Sequence, residues 1–428
     1  MVRKRLKLLN TKTVVEDGIK SFIAEWLTAG LPELIEREIA LPIDKDYIIT
    51  VTGGRRSGKT YLLYQAVRKI IEKGLASLNE ILYVDFEDYR LKVVSVNDLD
   101  KLVKAFVELT GKQPKYIFFD EIQNVKDYGS WFRRRINAGV FLTGSSSELT
   151  PLKIAEELRG RSINFEVYPL SFREFLRFEG FTYTPLMDYT PQRGKILSLL
   201  REYLYYGGYP AVVLEERNKI ALLKSYFESV IIRDLSIVKP SVAELFASFI
   251  ISNYSSPLSV NKVYNYLRGL GVKVGKETVL ELFSKAREAY FAFLVEEFEK
   301  SESKRRANPK KVYIIDTGYP TALGYEFSIS RAMENAVYME LMRRGIKEVF
   351  YWRGKREVDF VVSKNFEPES LIQVTYATDR VEEREIEGLM EAKSVLKVDD
   401  ALIITWDYEG EVRGFKALPL WKWLLGFS

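Results

Sequence analysis

Eight consecutive residues, Gly53-Gly54-Arg55-Arg56-Ser57-Gly58-Lys59-Thr60, set out the chemistry this chain is equipped to do. They fit the pattern G-x-x-x-x-G-K-[ST] in full. Glycines let a loop curl until its N–H groups converge on phosphate oxygens. A helix N-terminus behind the loop adds partial positive charge. Lys59 is then expected on the β- and γ-phosphates, and the Thr60 hydroxyl on one position of a Mg²⁺ ion. The expected nucleotide-binding stretch runs from Gly53 to Tyr61, with ATP and Mg²⁺ as the bound species. A second cluster, Asp120-Glu121, ends the apolar run Tyr116-Ile117-Phe118-Phe119. Asp120 is expected to hold Mg²⁺, and Glu121 to orient and deprotonate the attacking water, because phosphoryl transfer needs positioning more than covalent chemistry. A third run, Gly139-Val140-Phe141-Leu142, ends in Thr143-Gly144-Ser145. Thr143 or Ser145 is expected to sense the γ-phosphate or hold the water; an ordinary Ser-rich turn is the alternative.

These groups must be carried by strands and helices in a set order. Tyr47 to Thr52 is β-branched and apolar, as a strand buried on both faces should be. Tyr61 to Val67 carries apolar residues at helical spacing. Lys115 to Glu121, Gly139 to Ser147 and Ile81 to Glu87 read as further strands, alternating with helical segments. The expectation is an α/β layer with a parallel sheet. Ligands bind such sheets at the carboxyl ends of the strands, where all the named groups fall.

Composition removes the main competitors. The 428 residues contain no cysteine and no histidine. Disulfides, thiolate nucleophiles, Cys/His zinc sites and Ser-His-Asp catalysis are therefore excluded. Carboxylates, Lys, Arg, hydroxyls, backbone amides and a hard cation are what remain. Lys+Arg 64 against Asp+Glu 59 gives +5, which neither demands nor rules out nucleic acid. With 47% hydrophobic and 29% charged residues the chain reads as globular, cytoplasmic and without a membrane span. No apolar signal core follows the basic start Met1-Val2-Arg3-Lys4-Arg5, so no secretory peptide is expected. Abundant Lys, Arg and Glu without Cys also fit a heat-adapted protein.

With these residues in place the chain resembles the prokaryotic AAA-type P-loop ATPases, common in archaea, that carry a winged helix and a restriction-endonuclease-like domain after the ATPase. The resemblance rests on Thr52 through Tyr61, Asp120-Glu121-Ile122-Gln123 with Trp131, Leu142 through Ser146, Gly160-Arg161, and Tyr168-Pro169-Leu170-Ser171-Phe172-Arg173-Glu174-Phe175. It implies a P-loop core at 1–170, a helical lid at 171–238, a winged helix at 239–325 and a PD-(D/E)xK-like domain, degenerate, at 326–428. It implies that Arg159 or Arg161 acts on the γ-phosphate, in its own site or a neighbouring subunit's, with a homo-oligomer as one possible assembly. It also implies that Gly207-Gly208-Tyr209-Pro210 forms the lid turn near the adenine, and that Arg37-Glu38-Ile39 flanks the base.

Between 242 and 316 the pattern gives three helices followed by two strands, Tyr290–Val295 and Lys311–Asp316, around a basic stretch. On one reading this hairpin puts Lys304, Arg305, Arg306, Lys310 and Lys311 on the backbone of double-stranded DNA, with Lys273, Lys276 and Lys285 on the third helix. On the other it is a solvated loop on a module used for packing or protein contact.

In the last hundred residues, strand alternation puts Glu357 and Asp359 on one face and Gln373 and Thr375 on another. The order resembles the PD-(D/E)xK nuclease fold. Glu334 fits the helical acid and Asp359 the metal-binding acid, while Gln373 stands for the usual second acid and Thr375 stands where lysine should be. A hydroxyl supplies no positive charge to a water nucleophile, and an amide ligates metal more weakly than a carboxylate. Lys364 or Arg384 is a possible substitute for the lysine. The final stretch, with Trp421 and Trp423, is expected to pack as a cap on the domain, with a subunit interface or membrane contact as the alternatives.

Three functional readings follow: an ATPase coupled to DNA binding or remodelling, an ATP-dependent switch acting on a protein partner, and an ATP-gated nuclease.

Overall fold

The runs rich in β-branched and aromatic residues become strands that are buried almost throughout. In the computed structural model, which describes residues 2–43, 45–91, 95–132, 136–144 and 151–427, the chain divides into two units, Met1–Val167 and Tyr168–Ser428.

The first unit is built on five strands: β1 (Ile48–Gly53), β2 (Ile81–Asp85), β3 (Tyr116–Asp120), β4 (Gly139–Thr143) and β5 (Ser162–Val167). Their order in the sheet is β2-β3-β4-β1-β5, and every pairing is parallel. All five residues of β3 and of β4 are buried, the signature of central strands covered on both faces. The helix Lys59–Glu72 leaves β1 through the glycine loop and buries Leu62, Leu63, Ala66, Val67 and Ile70 against β1, β2 and β3 residues. The helix Leu99–Thr110 covers the other face with Leu99, Leu102 and Phe106, beside Ile19 and Ile23 of the long N-terminal helix Val2–Ala29.

The second unit opens on a helix, Phe172–Phe178, capped by a reciprocal pair: Ser171 Oγ accepts from the Glu174 N–H and Glu174 accepts from the Ser171 N–H. Helices Gln192–Tyr206, Lys219–Ser229 and Pro240–Ser252 follow. Phe172, Phe175, Leu176, Leu200, Tyr203 and Leu204 are buried, and Leu197 is partly buried against them. Next come helices Val260–Gly269 and Lys276–Glu288 and an antiparallel sheet ordered β6-β8-β7, from β6 (Ser256–Leu258), β7 (Ala292–Val295) and β8 (Lys310–Ile314). The helix Ile329–Arg343 then leads into six strands: β9 (Val349–Arg353), β10 (Glu357–Lys364), β11 (Glu367–Thr375), β12 (Asp400–Thr405), β13 (Gly410–Val412) and β14 (Phe415–Pro419), ordered β13-β14-β12-β11-β10-β9. Trp421 and Trp423 are buried in this unit's core. No helix among the described residues is long and apolar enough to cross a membrane.

The basic hairpin departs from expectation. Its tip is not an open loop but a short helix, Glu302–Ala307. Arg305 folds back, donating to the Glu299 carbonyl over 3.0 Å and stacking over the Phe366 ring at 4.6 Å. Lys310 pairs with Glu296 at 2.6 Å. Lys311 is 1% exposed and faces inward onto carboxylates, so it cannot reach a phosphate backbone. The cause is strand alternation: with Lys310 turned toward the surface, Lys311 must point to the opposite face. Of the five residues only Lys304 and Arg306 are exposed, and Arg306 is paired with Glu302 at 2.6 Å.

Candidate functional site

The carboxyl ends of β1, β3 and β4 bring the sequence motifs together. β1 ends at Gly53, whose φ of 144° favours glycine. A Cβ there would lie 2.0 Å from the Val167 carbonyl oxygen on β5, so the loop leaves the sheet through a space only glycine fits. Arg56 (φ 62°) and Gly58 (φ 95°) complete the curl. Gly58 sits at the head of the helix Lys59–Glu72, so the loop N–H groups and the helix terminus share one concavity. Lys59 is buried, and its ammonium donates to the loop's own carbonyls, Gly54 at 3.0 Å and Gly53 at 3.3 Å. Ser57 Oγ is buried and has no hydrogen-bond partner among the described residues. A buried hydroxyl normally has a partner, and one left over at a phosphate-shaped loop marks a place for ligand oxygens.

Arg37 is buried under this loop. Its guanidinium donates to the Ser57 carbonyl over 2.7 Å. Gln65, one helical turn and a half along, holds the Arg37 backbone at both ends: Oε1 accepts from the Arg37 N–H at 2.8 Å, and Nε2 donates to the Arg37 carbonyl at 3.2 Å. The segment before β1 is thus fixed to the glycine loop and to the helix that follows it.

β3 ends at Asp120, 1% exposed. One oxygen accepts from the Thr143 hydroxyl at the end of β4, and the other from the Tyr83 phenol on β2 at 3.0 Å. The Thr60 hydroxyl bonds the same carboxylate. Burial pushes the Asp120 carboxyl above its usual range; the hydroxyls of Thr143, Thr60 and Tyr83 act against that, while the Glu121 charge adds to it. Thr143 Oγ1 also accepts the Glu121 N–H at 3.1 Å, so one hydroxyl ties the two acids together. Glu121 takes a left-handed backbone (φ 53°) that turns it out of the strand, and Gln123 Nε2 donates to its carboxylate at 2.5 Å. Asp85, paired in register with Asp120, is pushed up to about 6, mainly by burial.

The residues present fit Mg-ATP. A hard cation needs oxygen ligands, and the Thr60 hydroxyl and Asp120 carboxylate stand together to provide them. Of the other expected site residues, Arg159 and Arg161 are exposed at the turn into β5. Ser145 lies outside the described residues. Pro210 opens the short helix Pro210–Val213 in the second unit, and the Gly207-Gly208 turn before it rests on Asp316: the Gly208 N–H donates to Asp316 Oδ2 at 2.8 Å.

The C-terminal acids also converge. Glu334, Glu357 and Asp359 surround the Lys311 ammonium, and Gln373 accepts the Asp359 N–H at 3.2 Å. The candidate substitute cations sit elsewhere: Lys364 is exposed, and Arg384 pairs with Glu382 and Glu385. Sequence reading missed Tyr83, Gln65 and the inward Lys311. Their roles depend on which strands become neighbours and on which face is covered.

Comparison with known proteins agrees with the first unit. Residues 45–176 match the family model of an AAA domain; residues 197–328 and 330–423 match two domains of unknown function, DUF8612 and DUF4143. Among solved structures, the Walker-type ATPase paby2304 of Pyrococcus abyssi overlaps with a TM-score of 0.42 at 14% identity, over 65% of this chain and 91% of that one. The Orc1 protein of Aeropyrum pernix in complex with DNA gives 0.30 at 14%, over 72% and 91%. Overlaps this loose carry nothing about function. An uncharacterized protein of Haemophilus influenzae is 27% identical over 89% of this chain and 95% of its own. The uncharacterized protein MJ1544 of Methanocaldococcus jannaschii is 32% identical over 99% of both chains, and this chain, with its AAA-type P-loop ATPase-like domain at residues 45–176, belongs to that protein's family.

Proposed function

We propose that the protein binds and hydrolyses Mg-ATP in its first unit, using Lys59 on the phosphates, Thr60 and Asp120 on the metal and Glu121 on the water. The observation that carries this reading is the Asp120–Thr143–Glu121 triad at the strand ends, with the buried Ser57 hydroxyl unpartnered in the loop beside it. Mg²⁺ bound there would neutralise charge on the phosphate oxygens. Glu121 is turned out of the strand by its backbone and held by Gln123, which suits a base that must meet a water. Thr143 joins it to Asp120 and is the better supported of the two hydroxyls expected as sensors. Arg161, exposed beside β5, remains the proposed charge donor to the γ-phosphate.

The division into core, helical lid (171–238), winged helix (239–325) and nuclease-like domain (326–428) is part of the same proposal. What ATP turnover drives has two readings. Coupling to duplex DNA rests on Lys304 and Arg306 with Lys273 and Lys276, all exposed. A switch acting on a protein partner is favoured by the withdrawal of Arg305, Lys310 and Lys311 into internal pairs. Steady-state turnover measured with and without duplex DNA at fixed ionic strength decides. Stimulation that Lys304→Glu/Arg306→Glu abolishes supports the DNA reading; indifference to DNA supports the switch; no nucleotide-dependent turnover at all contradicts the proposal.

A further inference from the structure

Lys311 Nζ has three carboxylate partners: Glu357 Oε1 at 2.7 Å, Glu334 Oε1 at 2.8 Å and Asp359 Oδ1 at 2.9 Å. Its side chain is 2% exposed, and the three acids come from two rigid elements, the helix Ile329–Arg343 and β10. Two of the three acids, Glu334 and Asp359, are held from behind. Glu334 Oε1 also accepts from the Tyr313 hydroxyl at 2.7 Å. Asp359 Oδ2 accepts from the Val374 N–H at 2.9 Å, and the Asp359 N–H donates to Gln373. Gln373 in turn donates to Glu385 at 2.6 Å. The result is three carboxylates converging on one cationic centre, with Glu334 and Asp359 fixed by neighbours and Glu357 partly exposed at the rim.

Two physical facts bear on this. Rigid carboxylates converging on a point are what hard divalent cations seek. A buried ammonium costs several kcal/mol to desolvate unless it is paired and hydrogen-bonded, which here it is on three sides. Three acids against one lysine leave a net charge of −2 if all are ionised. Burial and the Asp359 charge push the Glu334 carboxyl up, while Lys311 and the Tyr313 hydroxyl act against them. Among the described residues no group of three or more acidic side chains is arranged to hold a metal ion.

We infer that Lys311 is the resident cation of a three-carboxylate pocket, standing where a Mg²⁺- or Mn²⁺-class ion would otherwise bind, so that the pocket takes no metal while the lysine is in place. The ammonium ties β8 to the helix Ile329–Arg343 and to β10. It also leaves Glu334 and Asp359 with no metal through which to activate water.

The test is Mn²⁺ binding to the full-length, nucleotide-free protein after removal of metals with a chelator, counted from the electron paramagnetic resonance signal of free Mn²⁺. Wild type and Asp359→Asn should bind the same number of ions, because the pocket contributes none; this comparison also subtracts any binding at the phosphate loop. Lys311→Ala should bind one more ion per chain, and Lys311→Ala/Asp359→Asn should lose it again. If Lys311→Ala is too unstable to titrate, Lys311→Met keeps the bulk of the side chain, and its melting temperature should rise with Mn²⁺ while that of wild type does not. A wild-type ion that Asp359→Asn removes would overturn the inference. So would a folded lysine variant that neither gains an ion nor is stabilised by one.

Discussion

The Tyr83 hydroxyl on β2 donates to Asp120 Oδ2 on β3 over 3.0 Å, and accepts in turn from the Tyr64 hydroxyl at 3.2 Å. Two phenols thus run from the helix behind the phosphate loop to the proposed metal-binding acid. A hydrogen bond to a charged group is worth roughly 1.5–3 kcal/mol. Tyr83→Phe removes that bond and keeps the ring that stacks on Trp26 at 4.7 Å. Turnover at fixed Mg²⁺ is expected to fall by about tenfold or more, with a higher Mg²⁺ requirement and a melting temperature lower by several degrees. Thr143→Val should cost more, because it strips partners from both Asp120 and the Glu121 N–H. Mg²⁺ titrations of turnover check both.

Gly53 is a tight point of the phosphate loop. A methyl group there would meet the Val167 carbonyl at 2.0 Å in a backbone region that other residues rarely adopt. Gly53→Ala is expected to destabilise the first unit by roughly 2–4 kcal/mol and to abolish ATP binding. Urea unfolding and binding of a fluorescent ATP analogue read the two effects. Gly74, where nothing lies within 4 Å of an added methyl group despite a φ of 66°, is the comparison: Gly74→Ala should leave nucleotide binding intact.

Asp316 is fully buried, and its carboxyl is pushed up to about 6, chiefly by burial, with the N–H groups of Gly208 and Gly318 acting in the other direction. The folded state therefore holds this proton more tightly than the unfolded chain, whose value lies near 3.8. The stability this confers is fully present below the unfolded value and is lost as pH rises through 6. The expected contribution is on the order of 1–3 kcal/mol. The urea midpoint of the second unit should fall between pH 4 and pH 7, and Asp316→Asn should flatten that slope. An unchanged slope in the variant would remove Asp316 as its cause.

The two neighbouring arginines at the hairpin tip should behave differently. Arg305 stacks on Phe366 and donates to the Glu299 carbonyl, while Arg306 makes an exposed pair with Glu302. Arg305→Ala is expected to lower stability by about 1–2 kcal/mol, through lost packing as much as lost charge. Arg306→Ala should stay within about 0.5 kcal/mol of wild type. Paired thermal melts distinguish them, and equal effects would contradict the inward placement of Arg305.

The parts of the site that were legible in the sequence are those written in contiguous residues. Gly53 to Thr60 and Asp120-Glu121 declare themselves because loop, strand end and helix start are local. Thr143 was legible as one of two hydroxyls, since strand ends follow from local pattern. Tyr83 was not, because its reach to Asp120 depends on β2 lying beside β3, a fact of sheet order. Arg37 was placed near the nucleotide by resemblance alone, and its bond to the Ser57 carbonyl needs the loop folded. Lys311 was misread because a basic run looks solvated until strand alternation sends one member inward. Glu334, Asp359 and Gln373 were found together by fold pattern, but the lysine that meets them comes from β8, outside the stretch in which it was sought.

The central claim is that Asp120 and Glu121 form a working hydrolytic pair. Steady-state ATP hydrolysis with Mg²⁺, comparing wild type with Glu121→Gln, tests it most directly. The account predicts measurable wild-type turnover, a loss of at least about a hundredfold in Glu121→Gln, and retained ATP binding in that variant. Absence of wild-type turnover, or full activity in Glu121→Gln, would contradict it.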